Sequence, residues 1–242
     1  MFLYDKFKKK LYYFKVVVFA IFIFSLSLGI AVALSDEKLY IDAATGGVKG
    51  VVIIDAGHGG EDSGAIGKNG ALEKDLNLQV AMKLGEYLTN AGYSVIYTRS
   101  EDKLLYTEEQ NIKGFRKIYD LKNRLAVAEQ YPDAYFISLH MNSFGDEQYS
   151  GLQVYYSDNN AQSRILAESI QKNVKEKLQP TNNRSIKSGK DIYLLENSVG
   201  KAVLVECGFL TNEQECRLLC EKEYQKELCF AIMCGIISYE DK

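Results

Sequence analysis

The strongest constraint on the fold is an alternation of short apolar runs with longer segments of helical periodicity. The run 51–54 is β-branched throughout, as in strands covered on both faces. From 72 to 91, apolar residues recur every fourth position, which predicts an amphipathic helix. Further strands are predicted at 93–97, 134–140, 152–156, 192–195 and 202–205, and helices at 118–130, 160–179 and 223–239. This alternation predicts an α/β three-layer sandwich, a mostly parallel twisted sheet flanked by helices.

The first 34 residues have a composition of their own. Five lysines, at positions 6, 8, 9, 10 and 15, precede an uncharged stretch from 16 to 34. A basic flank before an apolar run is typical of an export signal, and this stretch approaches the roughly 20 residues that span a bilayer. Because flanking lysines stay on the cytoplasmic side, we expect export across the cytoplasmic membrane. Residues 1–34 are predicted to be a cleaved signal or a membrane anchor, 35–50 a linker, and 51–242 one functional domain.

Charge and cysteine content narrow the class of protein. After residue 34 the chain holds 24 basic and 31 acidic residues, a net charge of −7. An acidic domain without a basic stripe argues against nucleic acid as a partner. The five cysteines, at 207, 216, 220, 229 and 234, are odd in number and lack paired C-x-x-C spacing. We therefore expect free, mostly buried thiols.

Histidine is the most informative residue type, because the chain has only two. His58 follows the run 51–54 and His140 ends a predicted strand, so both lie where α/β sheets place their ligands. Glu73 opens the helix after the His58 loop, and Glu206 follows the strand 202–205. Two imidazoles and a carboxylate suit a catalytic zinc site with one position left for water. Each residue taken alone is more often structural, as a hydrogen-bonded histidine or a helix-dipole partner, and the four together favour a functional site.

Several separated motifs within residues 51–239 carry a resemblance to a known family. They are Ile54-Asp55-Ala56-Gly57-His58-Gly59-Gly60, Glu73, Thr98-Arg99, Ser138-Leu139-His140-Met141-Asn142 and Val205-Glu206-Cys207-Gly208-Phe209-Leu210-Thr211-Asn212. With these motifs the chain resembles the zinc-dependent N-acetylmuramoyl-L-alanine amidases of bacteria. The resemblance implies zinc held by His58, Glu73 and His140, Glu206 as the catalytic residue, and 51–242 as a zinc amidase catalytic domain.

The resemblance also implies a reaction and roles for neighbouring residues. The bond cut would be the amide between the lactyl group of N-acetylmuramic acid and L-alanine in peptidoglycan. Zinc would acidify a water molecule, and Glu206 would act as general base and then general acid. Asp55 is a candidate to orient His58, and Arg99 and Asn142 are candidates to contact substrate. All three could instead only stabilise the turn or satisfy backbone groups at strand ends.

Within the family, the chain is most similar to the spore-cortex, germination-specific amidase of endospore-forming bacteria. This similarity implies a part in cortex maturation, in which a separate deacetylase converts the stripped muramic acid to muramic lactam. The protein would then act in the wall or the forespore intermembrane space, with an accessory spore lipoprotein as a candidate partner. The alternatives are a zinc-dependent wall carboxypeptidase, a carbohydrate deacetylase, a non-catalytic wall-binding module, and a hydrolase using Cys207 with a histidine.

Overall fold

The computed structural model describes residues 48–240. The predicted export segment, 1–34, and nearly all of the predicted linker lie outside the described residues. Contacts divide the chain into two units, Met1–Val48 and Lys49–Lys242, and the sheet and helices described belong to the second. Within residues 48–240, the helices are too short or too polar to cross a membrane.

Strands and helices alternate along the described residues, as the sequence predicts. The strands are β1 (Val51–Ala56), β2 (Ser94–Tyr97), β3 (Tyr135–Asn142), β4 (Gln153–Tyr156), β5 (Lys187–Ser188) and β6 (Lys201–Phe209). The helices are α1 (Glu73–Asn90), α2 (Arg116–Glu129), α3 (Ala161–Lys177), α4 (Tyr193–Asn197), α5 (Glu213–Cys220) and α6 (Lys222–Glu240).

The strands form one sheet in the order β2-β1-β3-β6-β4-β5. Strands β2, β1, β3 and β6 run parallel to one another. Strand β4 pairs antiparallel with β6, and β5 pairs parallel with β4. The predicted mostly parallel sheet is therefore confirmed, and the carboxyl ends of β1, β3 and β6 meet at one edge.

Each face of the sheet has its own apolar core. Val52 and Ile54 of β1 pack with residues of α1, α3 and α6 on one face. Ile53, between them, packs on the other face with residues of α2 and α4. Successive residues of a strand point to opposite faces, so a run that is apolar throughout needs helices on both sides. The predicted three-layer arrangement follows from this burial.

The predicted strand at 192–195 is wrong, because this segment lies in helix α4. Leu194 and Leu195 are buried in the core between the sheet and α2. The backbone N–H of Glu196 donates to the carbonyl of Ile192, which closes a helical turn. A short apolar run buries its side chains equally well in a strand or in one helical turn, and periodicity cannot separate the two.

A buried polar network lies beneath the carboxyl edge of the sheet. Asp55 accepts hydrogen bonds from Arg124 (2.7 Å), Thr98 (2.7 Å) and Ser138 (2.6 Å). The Nε of Arg124 donates to Asp120 at 2.8 Å. Burial alone would raise the pKa of Asp55, but the Arg124 guanidinium and the hydrogen bonds from Ser138 and Thr98 together outweigh it, and the pKa is lowered. The network ties α2 to the end of β1.

Replacing Arg124 with methionine is expected to destabilise the protein by about 3–5 kcal/mol, because Asp55 and Asp120 would keep buried charges without their partner. Urea unfolding of the full chain measures the effect. The matched control is Lys122→Met, an exposed position on the same helix, which should change stability by less than about 0.5 kcal/mol. Equal effects of the two substitutions would contradict the role of the network.

Candidate metal centre

The loop after β1 holds His58 in an unusual backbone conformation. His58 has a φ of 61°, and Gly59 and Gly60 also have positive φ. A left-handed non-glycine residue costs free energy and persists where the surroundings fix it. Here Arg124 donates to the carbonyl of His58 at 2.7 Å, and Arg99 donates to the carbonyls of Ala56 and Gly57. The two buried arginines therefore fix the loop that presents the imidazole.

His58, Glu73 and His140 converge at the carboxyl edge of the sheet. One ligand atom from each of the three lies within 4.8 Å of the others. Oε1 of Glu73 lies 3.1 Å from Nε2 of His58 and 3.0 Å from Nδ1 of His140. The ring centroids of the two histidines are 5.0 Å apart. The structure thus brings together all three residues that the sequence predicts as metal ligands.

The three side chains of this cluster shift one another's pKa values. Burial disfavours a charge on Glu73, but hydrogen bonds and charge from His140 and His58 outweigh it and lower the pKa of Glu73. Burial likewise opposes protonation of His58, while the carboxylates of Glu73 and Asp62 raise the pKa of His58. The two imidazoles therefore share one carboxylate oxygen of Glu73. Two imidazole nitrogens and a carboxylate oxygen are also the donors that zinc sites use.

Glu206 stands directly beside this cluster. In the β3–β6 pairing it is the register partner of His140. Its Oε2 is buried, and no residue between 48 and 240 offers that oxygen a hydrogen bond. Burial raises the pKa of Glu206 to about 7; the charge of His140 opposes the shift and that of Glu73 adds to it. A carboxylate that titrates near neutral pH suits proton transfer in either direction.

The raised pKa of Glu206 predicts how the metal-free protein responds to pH. Because the folded pKa of about 7 exceeds the unfolded value near 4.5, ionisation opposes folding. The contribution of Glu206 to stability is full below pH 4.5 and is lost as pH rises through 7, by about 3 kcal/mol. Urea unfolding with chelator at pH 5 and pH 8 should show this loss, and Glu206→Gln should make it smaller, leaving the part that comes from the raised pKa of His58. An unchanged pH dependence in that variant would contradict the assignment.

The partner that orients His58 is Asp62, not Asp55. Oδ2 of Asp62 lies 2.9 Å from Nδ1 of His58, the ring nitrogen that faces away from Glu73. Asp55 instead bonds Arg124, Thr98 and Ser138. Asp55 is linked to His58 through Arg124, which donates to the His58 carbonyl. The spacing of Asp62, four residues after His58 in a glycine-rich loop, was the available sequence signal.

Replacing Asp62 with alanine is expected to weaken metal binding about 10–100-fold, because an acceptor on the second ring nitrogen fixes the tautomer and orientation of a ligating histidine. Zinc affinity measured by competition with a chromogenic chelator checks this. Asp133→Ala, an exposed aspartate just before β3, serves as the matched control and should bind zinc normally. An Asp62→Ala protein with unchanged affinity would exclude the orienting role.

The two residues predicted to contact substrate differ in their surroundings. Arg99 is 2% exposed, and its donors bond backbone carbonyls of Ala56, Gly57, Lys74 and Glu101. The substrate contact predicted for Arg99 is therefore wrong, and the alternative of backbone satisfaction holds. Asn142, two residues after His140, lines a cavity beside the metal centre. A substrate contact by Asn142 stays a prediction.

The loop at 98–115, between β2 and α2, packs against the loop that carries His58. Asp102 accepts from the backbone N–H of Gly60 and from Lys74. Directly after this loop, Arg116, the first residue of α2, pairs with Glu61 at 2.7 Å. The loop is therefore part of the surroundings of the candidate site.

The cysteines are free, as expected, and three of the five are buried. Burial raises the pKa of the Cys207 thiol well above its usual value. A thiol that is buried and protonated is a poor nucleophile. This argues against the alternative of a hydrolase that uses Cys207.

A parallel sheet with a His–Glu–His cluster and a neighbouring unpaired carboxylate at its carboxyl edge is the architecture of a metal-dependent hydrolase. A family model described as N-acetylmuramoyl-L-alanine amidase matches residues 52–238. The chain belongs to this family, and it is a hydrolase with N-acetylmuramoyl-L-alanine amidase activity. The carboxypeptidase, deacetylase and binding-module alternatives find no support in these matches.

Individual relatives agree with this assignment. The germination-specific N-acetylmuramoyl-L-alanine amidase of Bacillus subtilis (strain 168) is 35% identical over 189 residues, which are 78% of this chain and 79% of that protein. The CwlD amidase of Clostridioides difficile, solved in complex with the GerS lipoprotein, is 40% identical with a TM-score of 0.75, over 79% of this chain and 98% of that one. The catalytic domain of CwlV from Bacillus (Paenibacillus) polymyxa is 31% identical with a TM-score of 0.65, over 79% and 98%.

Proposed function

We propose that this amidase uses Zn²⁺ held by His58, Glu73 and His140 to cleave the bond between the lactyl group of N-acetylmuramic acid and L-alanine in peptidoglycan. The observation that carries the proposal is the convergence of these three side chains within 4.8 Å, with Glu206 in register beside His140. Two nitrogens and one carboxylate oxygen match the donor preference of zinc and leave a position for a reactant.

Zn²⁺, when bound, acidifies water and polarises a carbonyl. The other steps belong to the protein. Glu206 takes a proton on its unpaired Oε2 and returns it to the departing amine of L-alanine. Its pKa near 7 lets it accept and release that proton at neutral pH. Asp62 fixes the ring of His58, and Arg99 and Arg124 hold the backbone of the His58 loop.

The biological role we propose is maturation of the spore cortex, in which removal of the stem peptide precedes formation of muramic lactam. The germination-specific relative in Bacillus subtilis supports this role. An accessory lipoprotein is the proposed partner, supported by the CwlD structure, which contains the GerS lipoprotein. A segment 1–34 that signals export or anchors the chain, a linker at 35–50 and a catalytic domain at 51–242 would place the reaction in the wall or the forespore intermembrane space.

Muropeptide analysis tests the proposal. Purified peptidoglycan is incubated with the full chain, with zinc and with a chelator, and the products are identified by mass spectrometry. We expect zinc-dependent release of stem peptides with a free L-alanine amine. Shortened stem peptides, or deacetylated sugars with intact stems, would refute the assigned bond. Activity that is restored by another divalent cation but not by zinc would refute the proposal that the metal is zinc.

A further inference from the structure

A cavity of about 320 Å³ adjoins the metal centre on the side of β4. Asn142, two residues beyond His140, forms part of its wall. Four aromatic side chains line it, Phe144, Tyr149, Tyr155 and Phe209, together with two cations, Arg184 and Lys187. The paired positive charges stand out in a domain whose net charge is negative. The mechanism above uses neither cation.

The guanidinium of Arg184 is held by its neighbours, and one of its hydrogen-bond donors has no acceptor among the described residues. Its centre lies 4.7 Å from the ring centroid of Phe209. Nη2 donates to Oε1 of Gln153 at 2.6 Å. Nε of Arg184 is buried, and no residue among 48–240 accepts its hydrogen bond. A buried donor without an acceptor costs free energy, so this arginine is arranged for a ligand that accepts hydrogen bonds.

Strand register places Arg184 close to Glu206. Gln153, which Arg184 contacts, is the register partner of Glu206 across β4 and β6. Directly opposed residues on antiparallel strands have Cβ atoms about 5 Å apart. Two residues of extended peptide span about 7 Å. A group one residue beyond L-alanine can therefore reach Arg184 while the scissile amide lies at Glu206.

We propose that Arg184 and Lys187 form a subsite that selects a free carboxylate of the stem peptide, on the residue following L-alanine. This proposal rests on the proposed function. A planar guanidinium binds a carboxylate with two parallel hydrogen bonds, which satisfies the unpaired Nε. Lys187 is exposed at the rim and adds a second positive charge. An uncharged sugar could stack on the aromatic rings, but it has no negative charge to pair with Arg184 and Lys187.

The test compares two muramoyl peptides that differ only in whether this residue carries a carboxylate or a carboxamide. With the wild-type full chain and zinc, kcat/KM should be about 10–100-fold higher for the carboxylate substrate, mainly through KM. Arg184→Gln should remove this preference, whereas Arg184→Lys should keep part of it. Lys187→Gln, at an exposed position, should reduce the preference by several-fold without affecting folding. Arg164→Gln, a distant exposed arginine on α3, is the matched control and should behave as wild type.

Binding separates this proposal from the proposed function. The Glu206→Gln chain, with and without Arg184→Gln, is titrated with each muramoyl peptide by calorimetry. Tighter binding of the carboxylate form that depends on Arg184 supports the subsite even if the wild-type chain cleaves neither substrate. Equal affinity for both forms, or an equal loss on both after Arg184→Gln, would overturn the subsite even if the amidase reaction is established. A loss on both forms would assign the cavity to the glycan instead.

Discussion

Replacing Glu206 with glutamine is expected to lower kcat about 10²–10⁴-fold while zinc remains bound. Glutamine keeps the size of the side chain but cannot take up a proton and return it to the leaving amine. Because Glu206 is not one of the three converging ligands, its substitution leaves His58, Glu73 and His140 in place. The rate is measured as release of free L-alanine amines from peptidoglycan, and the zinc content by elemental analysis.

The matched control for this substitution is Glu129→Gln. Glu129 is exposed at the end of α2, and its substitution removes the same charge from the protein as Glu206→Gln does. The kcat of the Glu129→Gln variant should stay within about twofold of wild type, since surface substitutions rarely affect a distant site. If Glu206→Gln retains more than a tenth of the wild-type kcat, another group is the general base. If it also loses zinc, Glu206 belongs to the metal site rather than to proton transfer.

The convergence of His58, Glu73 and His140 was predictable because strand polarity constrains it strongly. Once 51–54 and 134–140 are assigned as parallel strands, His58 and His140 must emerge at the same edge of the sheet. Glu73 follows because α1 begins immediately after the His58 loop. Glu206 follows because β6 pairs with β3. Each of these assignments needs only the direction of a strand and the position of its end.

Contacts that depend on side-chain direction were harder to predict. Asp55 and Asp62 both flank His58, and their spacing does not show that Nδ1 of His58 meets Asp62. Arg124 belongs to an amphipathic helix in which an arginine is ordinarily exposed, yet it is buried against Asp55 and Asp120. Arg184 lies outside the helices and strands, so no periodicity indicated its place. Such contacts arise from tertiary packing, which spacing along the chain does not encode.

Replacing His140 with alanine is expected to abolish activity and to weaken zinc binding more than about 100-fold, since even an outer partner of a ligand contributes 10–100-fold. Metal that binds only the folded protein stabilises it, by about 4 kcal/mol when present at 1,000 times its Kd. The wild-type chain should therefore show a zinc-dependent rise in Tm, and His140→Ala should show none. A variant that keeps this rise would remove His140 from the ligand set.

Gly57→Ala tests the same geometry with every ligand still present. A Cβ at position 57 would overlap the imidazole ring of His140, so the ring must leave the position in which it contacts Glu73. We expect zinc affinity to fall more than tenfold and the zinc-dependent rise in Tm to shrink accordingly. Gly145→Ala is the matched control, because a Cβ there meets no atom within 4 Å and should leave zinc binding unchanged. If Gly57→Ala binds zinc as tightly as wild type, then zinc binding tolerates a shift of the His140 ring. The position of that ring would then not control zinc affinity.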